Sequence, residues 1–166
     1  IQAILAAKTA KEVVAVDIDK ETTTIADFNA CLNGVSSKIK ILTGDLYNVL
    51  EKEDKFDYII SNPPFIPIPN DIAFHICGDG GEDGMAIIRR IIRGYKNHLT
   101  VNGETIMIGQ CVGRFDHALI QDITESENIN KEYTLYLHKR LPLENQAIGF
   151  ADLATRYNGQ NTSSEE

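Results

Sequence analysis

Apolar positions along the chain follow two different periods. Residues 13–16, Val-Val-Ala-Val, form a short unbroken apolar run suited to a strand buried on both faces. Residues 39–42 and 56–60 read as two further strands, the latter rich in the aromatic and β-branched side chains that strands favour. Between these runs the apolar spacing lengthens to three and four. Residues 1–9 read as the body of a helix with no N-cap before it. A second helix is predicted from Asp19, whose side chain offers a cap, to about Asn33, with Ile25, Phe28 and Leu32 on one face. Asn33-Gly34 closes it with a pair that tolerates left-handed geometry. Residues 85–99 predict a third helix, with Ile88, Ile91, Ile92, Tyr95 and Leu99 inward and Arg89, Arg90, Arg93 and Lys96 mostly outward. Asn102-Gly103 reads as a turn before a strand at 104–108. A weak helix is expected at 115–123, two strands near 133–137 and 147–151 are expected to pair antiparallel, and the polar tail from Tyr157 is expected to be disordered.

Strands alternating with helices at this spacing predict an α/β fold, a doubly wound and mostly parallel sheet with helices on both faces. One domain over residues 1–156 followed by a tail at 157–166 accounts for the whole pattern. In such sheets ligands bind beyond the carboxyl ends of the strands. Asp17, Asp45 and Asn62 each follow a predicted strand at that end.

Composition narrows the function classes. The chain has 166 residues, 43% apolar and 24% charged, the balance of a globular protein, and no apolar run approaches the roughly 18 residues of a membrane span. No basic segment precedes the apolar start at Ile1, so neither a secretory leader nor a membrane location is expected, and a cytoplasmic one is. There is no initiating Met, so the chain reads as a piece of a longer protein. Cys31, Cys77 and Cys111 are odd in number and far apart, which suits free thiols, and the four histidines do not cluster as metal ligands do. The net charge of −8 argues against non-specific nucleic-acid binding, which needs a cationic surface.

The chemistry concentrates in Ser61-Asn62-Pro63-Pro64-Phe65. Two prolines directly after a strand end its ladder and fix the backbone, and Asn62, preceding one of them, is biased toward an extended conformation. An amide oxygen and neighbouring carbonyls then form a fixed array able to accept both hydrogens of an –NH2 group. Holding those hydrogens aims the nitrogen lone pair at an electrophile without a strong base. Phe65 supplies a flat face for a planar group or a sulfonium cation. Asp17 suits ribose hydroxyls, with Asp19 as its rival; Asp45, in Gly44-Asp45-Leu46, is otherwise a turn former. Glu82 and Asp83 sit in the Gly-rich stretch before residue 85, where Asp83 reads as a helix cap and the loop as either a lid or a capped entry.

Asn-Pro-Pro-Phe preceded by Ser resembles the catalytic motif of the amino-group methyltransferases that act on DNA adenine, RNA guanine or protein glutamine. Ile66-Pro67, Gly80-Gly81-Glu82-Asp83-Gly84-Met85 and Ile88-Arg89-Arg90-Ile91-Ile92 look most like the HemK-like, release-factor glutamine methyltransferases. The resemblance runs from Ile1 to about Gly103, and loosely to Ala151. It implies a Rossmann-like class I methyltransferase fold with S-adenosyl-L-methionine as cofactor. It places the cofactor ribose on Asp17 with Ile18 beside it, the adenine amino group on Asp45, and Leu46 as a backbone donor or apolar wall. Asn62, Pro63 and Phe65 become the catalytic set. Asn62 also borders the cofactor, and Asn62, Pro63, Pro64 and Phe65 hold the acceptor. Asn29-Ala30 also matches a family pattern and reads as structural. The implied partner is a protein substrate, such as a translation release factor; an exocyclic base amine in RNA or DNA, a small metabolite, and a non-catalytic binding module remain alternatives. Phe65 departs from the Tyr common in the glutamine enzymes. The family's first strand and Gly-rich turn have no counterpart before Gly34, and are expected upstream of Ile1, as is a helical substrate domain. Oligomeric state is not legible.

Overall fold

A computed structural model of the chain describes residues 1–114 and 116–127, with isolated positions at 144 and 148. The expected strand at 133–137 and the tail from Tyr157 lie outside the described residues. So does the expected strand at 147–151, apart from Ile148, which is helical and lends that strand no support. The chain divides into two compact units, Ile1–Ile60 with Asn97–Glu104, and Ser61–Lys96 with Thr105–Glu166.

In the first unit α1 (Gln2–Ala6) leads to β1 (Val13–Asp17), α2 (Lys20–Leu32) and β2 (Ile39–Thr43). β1 and β2 pair in parallel, Val13 opposite Ile39 through to Asp17 opposite Thr43. Both strands therefore end on the same side, at Asp17 and Thr43. Ala7, Ala30 and Ile39 form the buried centre, with Ala3, Ile4, Val13, Ala15, Val35 and Ile41 packed around it. The Lys38 ammonium donates to the Ala7 and Ala10 carbonyls at 3.0 and 3.2 Å, satisfying acceptors that the end of α1 leaves open. Asp19 caps α2 as expected, accepting from the Glu21 and Thr22 backbone N–H groups.

The apolar face of α2 is not its buried face. Ile25, Phe28 and Leu32 are 60%, 63% and 68% exposed, whereas Thr23 and Ala30 are buried. Residues 23, 26 and 30 repeat the same three-four spacing as 25, 28 and 32, so periodicity alone could not choose between the two faces. The small residues allow the helix to sit close to the strands, and the Thr23 and Thr43 hydroxyls meet at 2.7 Å.

β3 (Phe56–Ser61) pairs with β4 (Leu99–Met107). Phe56 N–H donates to the His98 carbonyl at 2.8 Å and Ile108 N–H to the Ser61 carbonyl at 3.1 Å. Positions rise together along the two strands, the parallel sense, so the described chain is a mixed α/β structure with parallel pairing. β4 starts earlier than expected and absorbs the anticipated turn at Asn102-Gly103. Gly103 lies against the neighbouring strand, where an added Cβ would stand 2.8 Å from the Phe56 carbonyl oxygen.

In the second unit α3 (Ala86–Gly94) passes into a 3₁₀ turn (Tyr95–Asn97) instead of continuing to Leu99. The inward set holds nevertheless: Ile88, Ile91, Ile92, Tyr95 and Leu99 are all buried. Met85, 1% exposed, anchors the N-terminal end of α3. Of the expected outward cations, Arg90, Arg93 and Lys96 are exposed, while Arg89 is half-buried. The weak helix expected at 115–123 is found as α4 (Leu119–Ser126). Among the described residues no helix is long and apolar enough to cross a membrane, and no three His, Cys, Asp or Glu side chains group as a metal site.

Candidate active site

The end of β1 separates two carboxylates that the sequence left in competition. Asp19 accepts the Glu21 and Thr22 N–H groups and the Thr22 hydroxyl, at 3.3, 2.8 and 2.7 Å. Both of its oxygens are engaged, and the Thr22 hydroxyl, with the backbone N–H groups behind it, holds its pKa below the ordinary aspartate value. Asp17, half-buried at the last position of β1, accepts only the Asp19 N–H, through Oδ1 at 3.0 Å. Its other oxygen has no hydrogen bond among the described residues. It is therefore the carboxylate able to accept a pair of hydroxyls. Ile18 beside it is 51% exposed and offers an apolar surface.

At the end of β2 the Gly44 N–H donates to the Asp17 carbonyl at 2.8 Å, joining the two strand ends. An added Cβ at Gly44 would meet Val49 at 2.0 Å, so the close turn requires glycine. Asp45 precedes a 3₁₀ turn (Leu46–Val49), and Leu46 adopts φ of 52°, the one described non-glycine residue in the left-handed region. A γ-branched residue held there is strained, by about 1–2 kcal/mol, and such strain collects at ligand-binding turns. Nothing in the sequence signals it. An apolar cavity of about 190 Å³, lined by Ile4, Ala15, Ile25, Ala26, Ile39 and others, takes in neither Asp17 nor Asp45 and lies where α1 and α2 pack on β1 and β2.

In the second unit Asn62 follows β3 directly and is exposed; its side-chain amide makes no hydrogen bond among the described residues. Pro63 is buried, and Pro64 and Phe65 are half-buried. A polar amide is thus presented outward on a backbone whose next residue is fixed in the interior. Every peptide bond in this stretch is trans. Asp17 with Asp45, and Asn62 with Phe65, are brought together within their own units.

The structure adds contacts that the sequence reading missed. The Gly-rich stretch packs on the motif backbone: an added Cβ at Gly84 would lie 2.5 Å from the Phe65 carbonyl oxygen, and one at Gly80 2.8 Å from the Phe65 carbonyl carbon. Asp83 accepts the Met85 N–H at 3.0 Å, just ahead of the first residue of α3, and also receives the Arg89 guanidinium at 3.0 and 2.5 Å. The guanidinium, more than the Met85 N–H, holds the Asp83 carboxyl below its ordinary range, and the Arg89 pKa is raised in turn. The Gly spacing was visible in the sequence; its target was not.

The chain matches the family model described as the methyltransferase small domain over residues 1–138. It is 33% identical over 100 residues to a ribosomal protein uL3 glutamine methyltransferase from Bradyrhizobium diazoefficiens, covering 55% of this chain and 31% of that protein. It is 36% identical over 102 residues to a putative protein N5-glutamine methyltransferase from Methanocaldococcus jannaschii, covering 59% and 50%. It is 33% identical over 135 residues to a release factor glutamine methyltransferase from Koribacter versatilis, covering 72% and 48%. The chain thus spans between 31% and 50% of the length of these relatives.

Proposed function

The chain belongs to the methyltransferase small domain family, and from that premise we propose that it is the catalytic part of an S-adenosylmethionine-dependent N-methyltransferase whose acceptor is a protein glutamine side chain. The observation that carries this reading is the Asn62 amide, exposed and without a partner among the described residues, at the carboxyl end of β3 on the buried Pro63. The relatives, whose names specify glutamine in a release factor or in ribosomal protein uL3, support the acceptor.

The donor set suits the cofactor. Asp17 would accept the ribose hydroxyls through the oxygen not taken by the Asp19 N–H, with Ile18 against the ring. Asp45 would accept the adenine amino group, and Leu46 would present its strained backbone or its apolar side chain. S-adenosylmethionine, when bound, supplies an electrophilic methyl on sulfur. Asn62 Oδ1 and the Pro63 carbonyl would accept the two amide hydrogens of the acceptor and so orient its nitrogen lone pair for attack on an electrophile. Pro64 and Phe65 pack against the planar amide. Transfer would exchange one S–C bond for one N–C bond and release one N–H proton to solvent.

β1 pairs on one side only among the described residues, although its Val-Val-Ala-Val run has the composition of a strand flanked on both sides. That open edge supports a further strand, expected upstream of Ile1 with its Gly-rich turn.

The test is calorimetric titration of S-adenosylmethionine into the full-length protein and its Asp17→Ala and Asn62→Ala variants, followed by assay of methyl transfer to a release factor and to ribosomal protein uL3. Binding weakened about tenfold or more in Asp17→Ala but kept in Asn62→Ala, with the wild type placing a methyl on glutamine and Asn62→Ala placing none, is the expected result. Absence of binding by folded full-length protein overturns the enzyme reading in favour of a binding module. Methylation of RNA or DNA instead of protein overturns the acceptor.

A further inference from the structure

The Asn62 amide has no hydrogen bond of its own to hold it among the described residues, yet a positioning group must be fixed to within roughly 0.5 Å to orient an acceptor. What fixes its backbone lies on the far side of Phe65. Ile66 N–H donates to the Gly78 carbonyl at 3.0 Å, Gly80 N–H to the Ile66 carbonyl at 2.9 Å, and Ile68 N–H to the Gly81 carbonyl at 3.0 Å. These bonds make a short parallel ladder, centred on Ile66 opposite Asp79, between the motif and the Gly-rich loop. Gly80 and Gly84, both buried, close on the Phe65 carbonyl where no side chain fits. Beyond Phe65 the motif is therefore held by the loop it lies against, as Ser61 before it is held by Ile108.

The loop in turn is tied to α3. Ala86 N–H donates to the Gly80 carbonyl at 2.8 Å, while within the loop Gly84 N–H donates to the Gly81 carbonyl at 3.0 Å. Asp83 makes the remaining tie, accepting the Met85 N–H and a two-pronged guanidinium from Arg89, in the first turn of α3. Exposed ion pairs contribute little as a rule. This one is half-buried and bidentate, the geometry in which such a pair fixes orientation as well as adding energy. Met85 and Ile88 seat the same end of the helix in the core.

We propose that Asp83 and Arg89 are positioning residues: their ion pair locks the 78–84 loop onto α3, and through Gly80 and Gly84 holds the Asn62–Phe65 backbone in register for the acceptor. The functional half rests on the N-methyltransferase reading; the mechanical half does not. Asp83→Asn keeps an oxygen for the Met85 N–H and removes the ion pair, so it isolates the clamp from the helix cap.

The experiment compares full-length wild type, Asp83→Asn, Arg89→Gln and the double variant by residue-resolved amide hydrogen exchange, S-adenosylmethionine affinity and methyl-transfer kinetics on a release factor. Exchange at Ile66, Ile68 and Gly80 is expected to rise about tenfold in each variant, while the Ile91–Gly94 amides of α3 stay within twofold. kcat is expected to fall about tenfold with cofactor Kd within twofold, and the double variant to be no worse than either single one. Unchanged exchange at Ile66 and Ile68 overturns the clamp. Exchange that rises uniformly through α3 also overturns it, because the pair would then serve stability alone. Wild-type protein that transfers no methyl group overturns the N-methyltransferase reading, and the exchange result still decides the clamp.

Discussion

Asp17 and Asp19 carry the same carboxylate two residues apart, and their partners separate their duties. Asp19 turns both oxygens back onto the first turn of α2, whereas Asp17 leaves one unengaged at the strand end. A charge-assisted hydrogen bond is worth about 1.5–3 kcal/mol, so Asp17→Ala should weaken S-adenosylmethionine binding about tenfold to a hundredfold. Asp19→Ala should lower the melting temperature instead and leave that affinity within about twofold of wild type, which titration alongside thermal unfolding would show. The same reasoning sets a pH dependence for Asp83. Its folded pKa is depressed, chiefly by the Arg89 guanidinium. Its contribution is therefore present above the ordinary aspartate value of about 3.9, and is lost as pH falls through the lower folded value. The stability gap between wild type and Asp83→Asn should be flat from pH 5 to pH 8 and shrink only below about pH 4, as urea titrations across that range would reveal.

Two glycines show how an element depends on its surroundings as well as its backbone. Gly34, which ends α2, has φ of +67° and open space where a Cβ would go. Gly84, which enters α3, has φ of +74° with the Phe65 carbonyl 2.5 Å from that position. Gly34→Ala should thus cost only the left-handed backbone, about 1–2 kcal/mol. Gly84→Ala adds an overlap with backbone that cannot swing aside, and should cost at least about 1 kcal/mol more by denaturant unfolding. The first of these sites was legible as Asn33-Gly34, because a helix-closing glycine has a local signature. The strand runs, the Asp19 cap and the inward set of α3 were legible for the same reason. The inward face of α2 was not, since Thr23, Ala26 and Ala30 share the spacing of Ile25, Phe28 and Leu32. Nor were the φ of Leu46, the Arg89 partner, or the seat of Gly84 on Phe65. These are set by what the fold brings near, and nothing in the local sequence encodes it.

For the molecule as a whole, the distribution of charge and apolar surface bears on the acceptor. Nucleic-acid enzymes gain affinity by neutralising phosphates with Lys and Arg, and that term disappears as salt rises. This chain carries 16 Lys and Arg against 24 Asp and Glu. Within the described residues, several of its cations are already committed: Arg89 to Asp83, Arg93 to Glu127, Lys38 to carbonyls at the end of α1, and Lys55 to the Asn97 carbonyl. Large apolar side chains are exposed as well, Phe28, Leu32, Ile76 and Ile108 among them. This balance supports the proposed protein acceptor over RNA. The 166-residue chain should therefore show no shift of a structured RNA or a DNA duplex at about 150 mM salt in a gel assay, and only weak, salt-sensitive retention at about 50 mM. A steep salt slope, equivalent to several phosphate contacts, would contradict this balance and return a base amine to first place among the acceptors.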